Sequence, residues 1–355
     1  MLDLKQPLLG VVATLIGIVI SLSFIALFDL ASFTGTAATI TMCVIPAEIM
    51  VGVFWQCQYP KFAANAGQPL RGLLLVLVTV VLGALTGAAY FYTVGGGIMP
   101  PMPMLTQCLI VAVVVTFFMS IVWGGWPFSL ISNRVVAGVL LLISVYVINY
   151  LLFQSLFNYD FLRGAPIYDA ALDPGGRFDG WSATVFYVTA VGMMFVVLHF
   201  DLWPLYKVPA LMKQPVLGIV WTALCIAGAA VVFHIGTVTL GMDAPAFMVK
   251  VPVPFIFGTI VVLNMLQGSL TAKLQQPLKG IVSFLAAALV GTVLAAVYGA
   301  LAPAISGSEV PAGAPTYTFE IWLASALLAV TFPVLIYYAD FFGMWLIRKQ
   351  PDDKA

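Results

Sequence analysis

The sequence predicts an all-α polytopic membrane protein of about ten transmembrane helices, a single transmembrane domain over residues 1–355. Three observations carry this. Of the 355 residues, 62% are hydrophobic and 8% charged, against about 25% charged in an ordinary soluble domain. Apolar runs near the ~20 residues needed to cross a bilayer recur along the whole chain. The basic residues fall on alternate connections. In lipid the backbone must satisfy its own hydrogen bonds, and runs of this length do so as helices.

The predicted spans are 7–29, 37–57, 69–92, 104–124, 135–157, 181–203, 215–237, 247–267, 277–301 and 318–347. The first run exceeds the apolar region of a cleaved signal and reads as a span. Pro46, Pro254 and Pro333 predict kinks in spans 2, 8 and 10, because a proline removes one helix hydrogen bond and crowds the preceding turn. If the chain starts inside, inner connections hold 11 of the 14 Lys and Arg residues and outer ones three. That asymmetry predicts a multi-pass cell inner-membrane protein with both termini cytoplasmic.

Two outer connections stand out. Residues 95–103 are uncharged and rich in Gly and Pro. Residues 158–180 carry Asp160, Asp169, Asp173 and Asp179 beside Arg163 and Arg177. They read as a solvated loop, with a lid or vestibule as the functional alternative.

A helix-start motif repeats at Gln6-Pro7, Gln68-Pro69, Gln214-Pro215 and Gln276-Pro277, each with a glycine three residues after the proline. Proline suits a first helical turn, where its missing N–H costs nothing. The first and third copies lie 208 residues apart, as do the second and fourth. Without gaps that offset also aligns Pro46 with Pro254, Gln56 with Asn264 and Tyr90 with Tyr298. It predicts a parallel internal duplication: residues 1–130 (spans 1–4) repeat as 208–350 (spans 7–10), with spans 5 and 6 over 131–207 between. A finer period of five tandem helical hairpins fits beneath it, Asn133–Gly138 being a start that has lost its proline.

Five tandem hairpins in ten spans resemble the plan of the slow anion channel and tellurite-resistance permease family. The likeness is in span count, orientation and hairpin plan. It implies an inner ring of odd-numbered helices around a pore. This chain lacks the prolines that the resemblance leads one to expect within odd spans.

Ionisable groups within spans are costly and mark functional sites by default. Glu48 lies mid-span beside Pro46 with no basic residue at its depth. Its carboxyl must be protonated, face a wet cavity, or meet a cation. The duplication places Ile256 opposite it, which predicts one specialised site. His199 and Asp201 near the end of span 6, and Asp340 near the end of span 10, join Gln56 and Asn264 as candidate groups around an inner mouth. The bland alternatives are interfacial hydrogen bonds and pairing with nearby Lys or Arg. Asn149 predicts an interhelical hydrogen bond. His199 and His234, the only histidines, fall at opposite ends of the spans, which argues against a shared haem or metal ion. The four cysteines read as buried small hydrophobes.

The net charge of zero, with no basic stripe, excludes nucleic-acid binding, and no nucleotide loop or nucleophile–histidine arrangement is present. The function expected is a transporter or channel for a small solute or ion, with no cofactor and the bilayer as partner. A non-catalytic membrane subunit of a larger complex, or a homo-oligomer, is the alternative. An intramembrane enzyme ranks third.

Overall fold

The computed structural model describes residues 4–348. The last two residues of the predicted second repeat, 349–350, lie outside them. The chain is 71% helical with almost no strand. Ten helices among the described residues are long and apolar enough to span a membrane: Leu8–Ile25, Leu30–Phe54, Leu70–Thr93, Pro103–Val122, Arg134–Leu156, Gly180–His199, Val216–Thr239, Ala244–Met265, Leu278–Ser306 and Thr318–Phe341. They are spans 1 to 10 below. Span 2 starts seven residues before the expected position. Asp29 accepts a hydrogen bond from Ser32 N and caps a helix that runs straight through Thr34-Gly35-Thr36.

The even spans form a closed inner ring in chain order: 2 packs on 4, 4 on 6, 6 on 8, 8 on 10 and 10 on 2. The odd spans lie outside in the grooves between them. Burial follows: 56–72% of the residues in the even spans are buried against 22–44% in the odd ones. The anion-channel resemblance implied the reverse. The apolar surface of an odd span can face lipid all round, whereas every even span must meet four neighbours.

The packing unit is also offset from the expected hairpins. Spans 3, 5, 7 and 9 pack on the even span before them, and span 1 packs on span 10. Leu4 N donates to Ile347 O at 3.2 Å, so the two ends of the described chain meet.

Four of the five even spans end in one way, and span 6 shares only the two left-handed residues. Trp55, Trp123, Leu266 and Phe342 donate their N–H to the carbonyl five residues back at 2.9 Å. Two left-handed residues follow: Gln56 and Cys57, Gly124 and Gly125, Asp201 and Leu202, Gln267 and Gly268, Gly343 and Met344. The wide final turns of spans 4, 8 and 10 and the plain α-helical end of span 6 each leave a free carbonyl, which the helix-start glutamines take up. Gln6 Nε2 donates to Met265 O, Gln68 to Phe341 O, Gln214 to Val122 O and Gln276 to His199 O, at 2.7–3.1 Å. Each Oε1 accepts from the glycine four residues on. Those glycines are needed because an added Cβ would collide with Leu266, Phe342, Trp123 or Phe200. At span 5 the roles invert: Asn133 caps its own helix, and Trp55 Nε1 donates to Arg134 O at 2.7 Å. The glutamine–proline motif is therefore a docking joint between an odd start and an even end.

The ungapped 208-residue register does not hold at the even ends. The corresponding caps Trp55 and Leu266 lie 211 residues apart. The loop after span 2, with its turn Lys61–Ala64, is longer than the loop after span 8, with its turn Ser269–Thr271, and this restores the register at the next start. Gln56 thus corresponds to Gln267, and Asn264 to Asp340. The level of Glu48 is occupied in span 8 by Thr259 rather than Ile256.

The kinks are only partly where proline alone predicts. Span 2 breaks at Cys43–Val44, just before Pro46. Span 8 breaks at Val251 before Pro252, so Pro254 sits inside a regular turn. Span 10 widens over Ser325–Thr331 ahead of Pro333, and Thr331 Oγ1 donates to Ala326 O. Span 9 runs on to Ser306 with Pro303 inside it, an odd-span proline the predicted boundary missed.

Candidate functional site

The inner ring encloses a chamber of about 270 Å³ lined by all five even spans. Ile45, Val113, Val191, Ile256 and Leu328 supply one wall each. Thr106, Gln107 and Ser325 add polar atoms. Phe117 closes the floor, with ring contacts to Phe195 at 5.5 Å and Phe332 at 6.0 Å. Apolar side chains facing a lumen look in sequence like any other apolar run, so the chamber was not legible there. Gln107, a polar residue within span 4, was the one signal available. A second cavity, of about 690 Å³, lies on the flank between spans 5 and 7 against spans 4 and 6.

The chamber's far end is roofed by ordered loops. Pro101 and Pro103 line it. The 158–179 segment is tied to span 4 by one residue: Tyr159 is fully buried and donates to Gln107 Oε1 at 2.8 Å. Asp173 holds the turn by accepting from Tyr159 N, Gly175 N and the Tyr168 hydroxyl. Asp160 pairs with Arg163 at 2.7 Å on the exposed side. Apart from Tyr159 every residue of the segment is exposed or half-buried, as a solvated loop requires, and none of them lines the chamber.

Glu48 lies one turn beneath Ile45 on the same helical face, on the side of the chamber floor away from that roof. It is 0% exposed, and neither carboxyl oxygen has a hydrogen-bond partner among the described residues. Burying a charge without a partner is strongly unfavourable, so such a group holds a proton or a cation. Asp340 and the Tyr337 ring lie within electrostatic range of it, and Tyr337 is held by Thr79 Oγ1 at 3.0 Å. Asp340 is exposed, whereas Glu48 is sealed. Asn264, at the level of Asp340 on span 8, is half-buried. The two mark the end of the ring nearest the docking joints. Cys57 sits nearby, 5% exposed, its thiol pushed up to about 12 chiefly by burial and then by Asp340. It is an inert thiol.

The other candidates separate from this group. His199 is buried between spans 6, 8 and 9, with Nδ1 2.7 Å from Ser283 Oγ and Nε2 3.0 Å from Thr259 Oγ1. Both ring nitrogens are satisfied, which suits a neutral imidazole that joins helices. Gln56 is exposed on a left-handed cap residue. Asp201 pairs with Lys279 at 2.6 Å and accepts from Gln276 Nε2 at 2.9 Å. Partial burial pushes its carboxyl up, but the bonds from Lys279 and Gln276 outweigh this and hold it below the usual range. A carboxyl lowered in the folded state contributes stability at neutral pH and loses it as pH falls through the lowered value. The partners are 34% and 51% exposed, so Asp201→Asn should cost at most about 1 kcal/mol. The melting difference from wild type should vanish in acid. Asn149 makes the expected interhelical bonds, its Nδ2 donating to Cys108 O at 3.0 Å.

No family model, no curated protein and no solved structure matches this chain, so its assignment as a multi-pass helical membrane protein rests on the ten spans and the geometry above.

Proposed function

We propose that the chain is a transporter or channel for a small solute, with the axis of the inner ring as pathway and Glu48 as its ionisable site. The observation that carries this is the alignment on one axis of a chamber walled by all five even spans and, beneath its aromatic floor, a sealed carboxyl without a partner. Lumen-lining positions and an intramembrane carboxyl are the expected parts of a pathway. Asp340 links Glu48 to the nearer mouth. The basic residues beside the docking joints support placing that mouth in the cytoplasm. The repeated joints support descent from a duplicated unit, with the fifth joint reworked at Asn133.

The test is flux through the purified protein reconstituted in vesicles. Ile45→Trp fills the chamber and should reduce flux at least about tenfold. Phe117→Ala removes the floor and should raise leak of water-sized solutes. Unchanged flux in both variants, with intact folding, would place any pathway elsewhere.

A further inference from the structure

We propose that the chamber is the binding site for one small organic cation, a compact apolar body bearing a single positive charge, with Glu48 one turn beneath the chamber wall at Ile45 as its counter-charge, and that the cation is exchanged for a proton. The proposal gives the substrate class of the pathway described above and takes its setting from that reading.

The walls decide against bare ions. The side chains of Thr34, Thr106, Gln107 and Ser325 offer four oxygens at most, of which Gln107 Oε1 accepts from Tyr159 and Thr106 Oγ1 bonds Thr39 at 2.8 Å. An inorganic cation needs about six oxygens to replace its water shell, and this chamber does not offer them. The charge decides against anions: no Lys or Arg lines the chamber, and the ionisable group beyond its floor is a carboxyl. The floor favours a cation with apolar surface. The rings of Phe117 and Phe332 meet there, and aromatic rings attract quaternary and alkyl ammonium groups. Size sets the scale: about 270 Å³ corresponds to roughly nine waters at ~30 Å³ each. That admits a molecule of a few heavy atoms and excludes a drug-sized one.

The Glu48 carboxylate, with Asp340 and Tyr337 of span 10 and Cys57 as the titratable groups beside it, is then neutralised in one of two ways, by a proton it holds or by the cation seated above the floor. Each neutralises the buried carboxylate, and neither can be absent without exposing an unpaired charge to an apolar interior. A site that holds one positive charge at a time couples inward movement of the cation to outward movement of the proton.

The probes are three compact molecules of similar size: tetramethylammonium, tert-butanol and pivalate. Binding to the purified protein in detergent is read by titration calorimetry, and flux by reconstitution. Tetramethylammonium should bind at least about tenfold more tightly than the other two, and binding should weaken at acid pH as the proton competes. Glu48→Gln should lose at least about tenfold in affinity, Glu48→Asp should recover part of it, and Ile45→Trp should abolish binding by filling the chamber. Equal binding of pivalate or tert-butanol, or undiminished binding by well-folded Glu48→Gln, overturns the proposal. Tetramethylammonium binding with this signature but without flux upholds the site and removes the transport reading. Flux of pivalate that excludes tetramethylammonium upholds the pathway and removes the cation site.

Discussion

Glu48→Gln should abolish pH-dependent transport and lower the rate at least about tenfold, which is ~1.4 kcal/mol of lost interaction. The amide has nearly the shape of the carboxyl but can neither release a proton nor carry a charge. Since Glu48 is sealed and has no hydrogen-bond partner among the described residues, the change removes no bond seen in the fold. Melting should therefore stay within about 1 kcal/mol of wild type. Asp340→Asn should have a milder effect, because Asp340 is exposed at the mouth and water can replace it as proton donor. Vesicle flux between about pH 5 and 8 checks both variants. Wild-type rates for Glu48→Gln across that range would show that the carboxyl has no part in the pathway.

Gly291→Ala should be among the most damaging single substitutions in the chain. Spans 8 and 9 touch backbone to backbone there. A Cβ on Gly291 would collide with Pro254 O, and one on Gly258 with Ala287 O. The obstacle in both cases is main chain, which cannot rotate aside, so the helices must separate and lose contacts along their whole interface. Overpacking against a fixed neighbour costs about 1–3 kcal/mol, occasionally more; a value near or above the upper end, with loss of a monodisperse peak, is expected. Gly67, with no atom within 4 Å of an added Cβ and an ordinary φ, is the control, and Gly67→Ala should change stability by less than about 0.5 kcal/mol. A melt of Gly291→Ala indistinguishable from wild type would mean that the close approach of spans 8 and 9 does not hold the fold together.

The spans were legible because lipid imposes length and hydropathy on each helix separately. Their arrangement was not, because nothing in an apolar run says whether it faces lipid or four neighbours. The glutamine–proline motif could be read as a helix start, but its second role needs a partner carbonyl from another span: Met265, Phe341, Val122 or His199. The even ends were misaligned because the longer loop after span 2 changes chain length without changing hydropathy. Glu48 was identifiable since an isolated charge in an apolar run is rare whatever the fold. His199 and Asp201 looked alike in sequence and differ only through Ser283, Thr259 and Lys279, all brought in from other helices. Phe117 carried no signal, being one phenylalanine among 25.

The pairing of span 1 with spans 8 and 10 has a consequence for biosynthesis. Span 1 is made before spans 8 and 10 and waits for them. Until they arrive, the Gln6 amide lacks Met265 and the Gln68 amide lacks Phe341, so two polar groups stand at the bilayer edge without their final acceptors. A ribosome-bound intermediate that ends before span 8 therefore has an open ring with an apolar lumen facing lipid. Such intermediates should be the stage at which insertion chaperones hold the nascent chain and quality-control proteases cut it. Completion of the last helix, rather than of any early hairpin, should mark the step to protease resistance.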